Sequence, residues 1–455
     1  MSYRDRKISR NGKVWQVGTL TYTMGGLAAL FCWLLWGDFA WYMKDRSVPQ
    51  IVQLLLGKYG ASDSIVGILL GSLPPALTIL VSPVISYKSD RHRGPWGRRI
   101  PYLLASIPVV VFAVAGLAFS PKMGGLLHRS LGAHSPGLNG CVVGFIGLFW
   151  GLAELAFFTV NAVYGALVND VVPPEILGRF FAMFRAVSLI AGIIFNYWLL
   201  GNADVHSILI LLAIGLLYGI GFGLMCMKVK EGAYPPVPPP SSPSSGILLS
   251  VGGYFRDCFG NSYYFWFFGA MAMAWTMAGP FNLYAMFFAK SVSMSLGTYG
   301  KCIALTYAVS LVIAYPLGAL CDRFHPLRVT MASIGFYACV MLWGGIYARD
   351  FNTFGIALVA QGVVSGTFLT AASSLSQRLL PRTKFAELNS AGAILASIAT
   401  ALLYPFVGLF LDHAHHTYRY TFYFGFALAL MALAGLAVVH SRFLKLGGPS
   451  GYVAP

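Results

Sequence analysis

Twelve long apolar runs limit how this chain can fold more than any other feature of its sequence. A bilayer core about 30 Å thick is crossed by about 20 apolar residues in a helix. The runs have that length and lie at 19–42, 64–87, 101–120, 139–166, 180–200, 206–227, 264–289, 299–320, 329–348, 354–376, 387–411 and 420–441. Only 10% of the 455 residues are charged, against about 25% in a soluble domain. We therefore predict an all-α integral membrane protein with twelve transmembrane helices in two six-helix bundles.

A proline- and serine-rich segment divides the twelve runs into two sets of six. It reads KVKEGAYPPVPPPSSPSS from Lys228 to Ser245, a composition that favours a solvated, semi-rigid linker over a helix or strand. A short interfacial helix is predicted just after it. The predicted organisation is a tail at 1–18, a bundle at 19–227, a linker at 228–263, a bundle at 264–441 and a tail at 442–455.

The basic residues predict which side of the membrane each loop faces. With the N-terminus inside, 22 of the 31 Lys and Arg fall on the inner side and nine on the outer side. That asymmetry follows the positive-inside rule. It predicts a multi-pass protein of the cytoplasmic (inner) membrane with both termini in the cytoplasm. The net charge of +16 then reflects topology and contact with the lipid bilayer, and no nucleic-acid partner is expected.

The two halves of the chain repeat weakly. Asp90 and Arg91 follow the second run, and Asp322 and Arg323 follow the eighth run, with more arginine behind each pair. A duplicated six-helix unit is typical of secondary transporters, whose solute site lies near the bilayer midplane between the halves.

The strongest local motif is SDRHRGPWGRRIPY from Ser89 to Tyr102. An acid here can accept hydrogen bonds from the free N–H groups at a helix start, where the helix dipole favours an anion; we expect Asp90 to do so. Arg91, Arg98 and Arg99 can pair with this acid or with lipid phosphates, and Gly97 permits a tight turn. The alternative is an ordinary basic loop.

This segment resembles the loop between helices two and three of major facilitator superfamily transporters. The run DRHRGPWGRRIPY is especially similar to the glycoside–pentoside–hexuronide:cation symporters and the sucrose transporters, and so is the segment carrying Asp170 and Arg179. The resemblance implies a monomeric carrier of a small-molecule substrate that works by alternating access. It also implies a cytoplasmic latch, which stabilises the outward-open state. Its residues here are Asp90, Arg91, Gly97, Arg98, Arg99, Asp170 and Arg179, with Asp322 and Arg323 in the second half.

Glu154 is an acid near the middle of the fourth run. A charge at the centre of a membrane helix costs about 2.5–3.5 kcal/mol on insertion scales, so such an acid usually serves function. Trp150, Phe158 and Asn161 follow helical spacing from it, which places aromatic rings and an amide on its face. This face suits a sugar, and the carboxyl could carry a coupling proton. The alternative is that Glu154 only pairs with a basic residue between helices.

Asp38 is the second intramembrane acid, nearer the outer end of the first run, with Tyr42 four residues on. It is a candidate ligand for substrate or cation; the alternative is an interfacial acid beside Lys44. The symporters that the chain resembles also carry an acid on their second helix, and the run 64–87 has none in its interior. Proton coupling is therefore favoured, sodium is the alternative, and no other cofactor is expected.

The second half contributes weaker candidates for a solute site: Trp275 and Asn282 flank Pro280, and Gln361 lies in the tenth run. Ordinary interhelical packing is the alternative for each. The loop with His413, His415 and His416 is interpreted as solvated, with no metal. No catalytic motif suggests an enzyme. The predicted function is proton-coupled secondary transport of a sugar or glycoside. The alternatives are a lipid, nucleoside or drug carried by the same fold, and a non-transporting assembly factor or receptor.

Overall fold

The computed structural model describes residues 14–234, 258–373, 375–381 and 384–455. The side chains at 82, 315, 322, 386, 387 and 450 lie outside that description. Most of the predicted linker therefore falls outside the described residues, as does the predicted interfacial helix.

The first half begins with a small antiparallel hairpin and continues in helices. The strands are β1 (Trp15–Val17) and β2 (Leu20–Tyr22), and Trp15 pairs with Tyr22. The helices are α1 (Met24–Lys58), α2 (Asp63–Val66), α3 (Leu73–Arg91), α4 (Ile100–Leu131), α5 (Leu138–Val171), α6 (Leu177–Ile194) and α7 (Ala203–Lys228). Short π-helical segments, Gly67–Ser72 and Phe195–Leu199, continue α2 into α3 and extend α6. Short 3₁₀ turns lie at Gly132–His134 and Leu200–Asn202.

All the regular secondary structure in the described residues of the second half is helical. Its helices are α8 (Ser262–Thr276), α9 (Gly279–Ser291), α10 (Leu296–Phe324), α11 (Pro326–Tyr347), α12 (Phe351–Ser373), α13 (Leu375–Leu379), α14 (Phe385–His413), α15 (Tyr420–Lys445) and α16 (Gly448–Gly451). Side-chain caps begin several of them. Ser295, for example, accepts a hydrogen bond from the N–H of Thr298 at 3.1 Å, which satisfies one of the free donors of a helix start.

The predicted number of membrane crossings is confirmed. Among the described residues, ten helical stretches are long and apolar enough to span a membrane. One of them, Leu177–Lys228, contains both α6 and α7. The seventh crossing is divided into α8 and α9 by a break at Met277–Ala278, directly before Pro280. Proline is well tolerated in the first turn of a helix, so Pro280 lies at the start of the second half-helix. When α6 and α7 are counted separately and α8 with α9 is added as one crossing, the described residues make twelve crossings.

Several predicted boundaries were wrong, among them the end of the third run at residue 120, because α4 continues to Leu131. The first run begins in strand β2, and α1 starts only at Met24. Its end is not residue 42, because α1 continues to Lys58; the apolar stretch Ile51–Leu56 carries the helix past the charged triplet at 44–46. The fourth run ends at Val171, which places Asp170 in the last turn of α5 and not in a loop.

The described residues form two compact units. The first contains residues 14–59, 80–195 and 203–234, and the second contains 60–79, 196–202 and 258–455. In the first unit α1 packs against α6 and α7, and α4 packs against α5 and α7. In the second unit α11 packs against α12 and α15, and α14 packs against α8 and the π-helical segment Gly67–Ser72.

Candidate functional site

The interior of the first unit holds two buried acids, Asp38 on α1 and Glu154 on α5. The side chain of Asp38 is fully buried, and Glu154 is 5% exposed. Neither carboxylate oxygen of Asp38 has a hydrogen-bond partner among the described residues. Asp38 is therefore enclosed by the protein and is not exposed beside Lys44.

Lys44 is predicted from the sequence to lie in an outer loop. In the structure it lies inside α1 and is 1% exposed. Its ammonium lies 3.8 Å from the centroid of the Phe157 ring, and it interacts electrostatically with Glu154. Phe157 in turn stacks on Trp41 at 4.4 Å between ring centroids. The unit thus contains two buried side chains of opposite charge, Lys44 and Glu154, within electrostatic range of each other.

The other predicted residues on these helices differ in burial. Trp150 and Phe158 are buried inside the unit, whereas Asn161 is exposed. Tyr42 is half-buried and lies within electrostatic range of Asp38. Tyr164, which we did not predict, is also within range of Asp38, but its hydroxyl donates to the carbonyl oxygen of Leu34 at 2.8 Å.

A second site gathers the loop motif around Asp170. Arg98 donates to both carboxylate oxygens of Asp170, with Nη2–O distances of 2.7 and 2.9 Å. Arg99 donates to the same carboxylate at 3.3 Å, to the hydroxyl of Ser89 at 2.6 Å and to the carboxylate of Asp90. Paired guanidinium–carboxylate bonds of this kind are geometrically specific and stronger than neutral hydrogen bonds. The end of α3, the end of α5 and the start of α4 are held together by them.

The acid that caps α4 is Glu231, a residue that the motif analysis did not include. Its carboxylate accepts hydrogen bonds from the backbone N–H groups of Arg98, Arg99 and Ile100 at 3.0, 2.8 and 2.7 Å. These are free donors at a helix start, where an anion is favoured. Gly97 has a φ of +96°, and a Cβ added there would lie 2.5 Å from Glu231 Cδ. Only glycine meets both requirements at this turn.

Tyr234 completes this second site. Its hydroxyl donates to Glu231 at 2.6 Å, and the guanidinium of Arg98 lies 4.1 Å from the centroid of its ring. Burial and the neighbouring carboxylate of Glu231 raise the pKa of Tyr234 above its ordinary value. Burial lowers the pKa of Arg98, but the hydrogen bond and charge of Asp170 outweigh burial and raise it. Arg98 is therefore held as a permanent cation in this network.

Three predicted latch residues lie outside the network around Asp170. Arg91 lies over the ring of Tyr87, 4.2 Å from its centroid, and Arg179 is exposed in the first turn of α6. In the second unit Arg323 lies 5.3 Å from the Phe324 ring centroid. The side chain of Asp322 lies outside the described residues.

In the second unit the predicted candidates fall into two groups. Trp275 is 48% exposed and lines a cavity of about 360 Å³ with Asn389, Ser397 and Thr400. Asn282 and Gln361 lie elsewhere and bind each other: the amide of Gln361 donates to Asn282 at 3.1 Å.

The histidine loop is not simply solvated. The ring of His416 contacts a carboxylate oxygen of Asp63 at 2.7 Å, and Asp412 accepts from the backbone N–H groups of Asp63 and Ser64 at 2.8 and 3.0 Å. The donor atoms of Asp63, Asp412 and His416 lie within 4.8 Å of one another. The hydrogen bond with Asp63 raises the pKa of His416, although burial opposes it. The start of α2 is thereby fastened to the end of α14, where a Cβ on Gly408 would lie 2.5 Å from the Asp63 carbonyl oxygen.

Comparison with known proteins decides the fold. Residues 265–449 match the family model described as Major Facilitator Superfamily. The structure superimposes on a bacterial homologue of the human lysosomal transporter Spinster with a TM-score of 0.68 and 12% identity, over 93% of this chain and 99% of that one. The chain has the major facilitator fold. No curated protein sequence matches it.

Other solved structures share the major facilitator fold with this chain. A bacterial homologue of the iron transporter ferroportin gives a TM-score of 0.63 at 18% identity, over 91% of this chain and 99% of that one. The xylose transporter XylE from E. coli gives 0.62 at 11% identity, again over 91% of this chain and 99% of the other. Identities this low establish the fold and leave the cargo open.

Proposed function

We propose that this protein is a proton-coupled secondary transporter of a sugar or glycoside. Proton coupling is supported by the surroundings of Asp38. Its two carboxylate oxygens are buried and have no hydrogen-bond partner among the described residues. An ionised carboxylate in such a place is costly. A proton or another cation must therefore neutralise Asp38, and a site that needs neutralising is suited to carry the coupled ion.

Glu154 has a different part in this proposal. Lys44 lies within electrostatic range of it, so its negative charge is already balanced inside the protein. Asp38 has no such basic neighbour among the charges that act on it. The proton is therefore assigned to Asp38, and the pair of Glu154 and Lys44 is assigned to holding α5 and α1 in register. From the sequence alone, the carboxyl of Glu154 was the first candidate to carry the coupling proton, and Asp38 was the second.

The sugar assignment is supported by the loop motif and by the cavity around Trp275. Small-molecule sites usually combine an apolar or aromatic wall with a few placed polar groups, in volumes of roughly 300–1,000 Å³. The cavity in the second unit has about 360 Å³ and is lined by a half-exposed indole, an amide and three hydroxyl side chains. An indole face and hydrogen-bonding side chains suit a ring that carries hydroxyl groups.

The test is uptake into proteoliposomes that contain the full chain. A panel of radiolabelled sugars is offered with and without an inward proton gradient, to the wild type and to Asp38→Asn and Glu154→Gln. We expect gradient-driven accumulation of at least one sugar. Asp38→Asn should abolish accumulation against a gradient and keep exchange of sugar across the membrane.

Two outcomes contradict the proposal. Accumulation that survives Asp38→Asn but is lost in Glu154→Gln would move the proton to Glu154. No uptake of any sugar by protein that is shown to be folded would refute the sugar assignment. The same vesicles would then be tested with a nucleoside, a lipid and a drug, the other cargoes that this fold admits.

A further inference from the structure

A cavity of about 630 Å³ opens in the first unit beside the Arg98–Asp170 network. One wall is the loop 93–97, a second is the start of α4 at Ile100 and Leu104, and a third is the segment 226–234 at and after the end of α7. The transport proposal above does not use this cavity. Its lining combines two basic side chains with exposed apolar ones, and that combination indicates what it binds.

The cavity lies where two membrane spans end. One span runs from Ile100 to His134, and another ends at Lys228. Leu104 and Met227 line the cavity from inside these spans, whereas Arg93 and Lys230 line it from beyond their ends. With a helical rise of 1.5 Å per residue, Leu104 lies about 6 Å from the start of its stretch. The cavity therefore lies beside the ends of two membrane-spanning stretches and is lined both by residues on them and by residues beyond them.

The apolar end is open to its surroundings. Trp96 is 64% exposed and Met227 is 71% exposed. Exposed large apolar side chains grouped at one site mark an interaction surface, and tryptophan is enriched at the membrane–water interface. Lipid chains are the surroundings that such an end meets in a membrane.

The polar end is positively charged. Arg93 and Lys230 line it, and the acid in the lining is Glu231. Both oxygens of that carboxylate are already engaged, by three backbone N–H groups and by the hydroxyl of Tyr234. Nη1 of Arg93 also donates to the backbone carbonyl oxygens of Asp90 and His92, at 2.7 and 2.8 Å, but these neutral acceptors leave its positive charge in place. The charge that a ligand would meet is therefore mainly positive. Basic pockets beside membrane helices attract anionic headgroups.

We propose that this cavity binds one anionic glycerophospholipid of the surrounding leaflet. The phosphate of the lipid contacts Arg93 and Lys230, and the upper part of an acyl chain lies along Trp96, Leu104 and Met227. Charge complementarity selects an anionic headgroup over a zwitterionic one. The apolar half of the cavity selects a lipid over a soluble anion. Because Glu231 and Tyr234 form part of the wall, the bound lipid also stabilises the network around Asp170.

The experiment is native mass spectrometry of the full chain in detergent, with equal amounts of phosphatidylglycerol and phosphatidylcholine. We expect one phosphatidylglycerol to be retained about tenfold more than phosphatidylcholine, and thermal unfolding to shift upward when it is added. Lys230→Gln and Arg93→Gln should each reduce that preference severalfold. Trp96→Ala should weaken retention of both lipids. The matched control is Lys122→Gln, which removes a positive charge from α4 far from the cavity.

The outcomes separate this proposal from its rivals. Equal retention of the two lipids, or the same preference in Lys230→Gln and in the Lys122→Gln control, would overturn it. Excess inorganic phosphate tests whether the cavity binds a soluble anion instead of a lipid, and we expect it to leave lipid retention unchanged. Displacement of the lipid by phosphate, together with no effect of Trp96→Ala, would make this an anion site and refute the lipid assignment. Unfolding temperatures show that each variant is folded.

Discussion

Replacing Lys44 by methionine should be among the most damaging single changes in the first unit. The substitution keeps most of the buried apolar stem and removes the charge that faces Glu154. Lys44 is 1% exposed and Glu154 is 5% exposed, so water cannot replace the lost partner. Removing one member of a buried ion pair costs about 3–5 kcal/mol. Glu154 can limit that cost by binding a proton, so we expect about 3 kcal/mol near neutral pH.

Glu154→Gln should cost slightly less than Lys44→Met. The ammonium of Lys44 keeps its contact with the Phe157 ring at 3.8 Å, and such a contact is worth about 0.5–2 kcal/mol. The double variant Lys44→Met/Glu154→Gln removes both charges, and replacing a whole buried pair is often nearly neutral. It should therefore be more stable than either single variant, with a coupling energy of at least about 2 kcal/mol.

The assay is thermal unfolding of the purified chain in detergent, with Lys122→Met as the control. Lys122 also lies over an aromatic ring, that of Phe119 at 5.6 Å, and that interaction should cost about 1 kcal/mol or less when lost. Each kcal/mol shifts the unfolding temperature of a chain this long by about 2 °C or less. Additive effects of the two single substitutions would refute the pairing of Lys44 with Glu154.

Two further predictions concern the loop motif and the histidine loop. Gly97→Ala should destabilise the chain by about 1–3 kcal/mol, because residue 97 has a positive φ and an added Cβ would meet Glu231. The control is Gly178→Ala, which should not destabilise the chain because its Cβ would meet nothing within 4 Å. Equal unfolding temperatures of the two variants would contradict this prediction. His416 has a raised pKa, so its contribution is present below the unfolded value of about 6.5 and is lost as pH rises through the higher folded value. Stability should therefore fall more between pH 6 and pH 8 in the wild type than in His416→Gln, with His413→Gln as the control that keeps the wild-type profile.

The sequence predicted the number of crossings because hydrophobic length alone determines it. A span needs about 20 apolar residues, and nothing about tertiary contact has to be known to count them. The break in the seventh crossing lies shortly before Pro280, and proline cannot continue a helix. The motif suggested Asp90 or lipid phosphates as partners of Arg98 and Arg99, whereas in the structure both arginines pair with Asp170 and Arg99 also pairs with Asp90.

The sequence could not predict the partners that come from distant parts of the chain. Lys44 was read as a loop residue because charge ends an apolar run, although the apolar stretch that follows it could have shown that α1 continues. Glu231 stands in a segment whose proline and serine content predicts a linker, and its role as the cap of α4 depends on a contact across 131 residues. Asp63 and Asp412 are separated by 349 residues, and no local pattern joins them.

Asp170 carries more of the loop network than Asp90 does, and the two can be separated by matched substitutions. The side chain of Asp170 is 17% exposed and pairs with two guanidiniums, while that of Asp90 is 54% exposed and pairs with Arg99. Hydrogen bonds to charged groups are worth about 1.5–3 kcal/mol each, so Asp170→Asn should cost about 3 kcal/mol after partial solvent screening. Asp90→Asn should cost about 1 kcal/mol or less, the usual value for an exposed pair. Thermal unfolding of the two variants measures the difference, and an equal loss in both would mean that Asp170 does not organise the network.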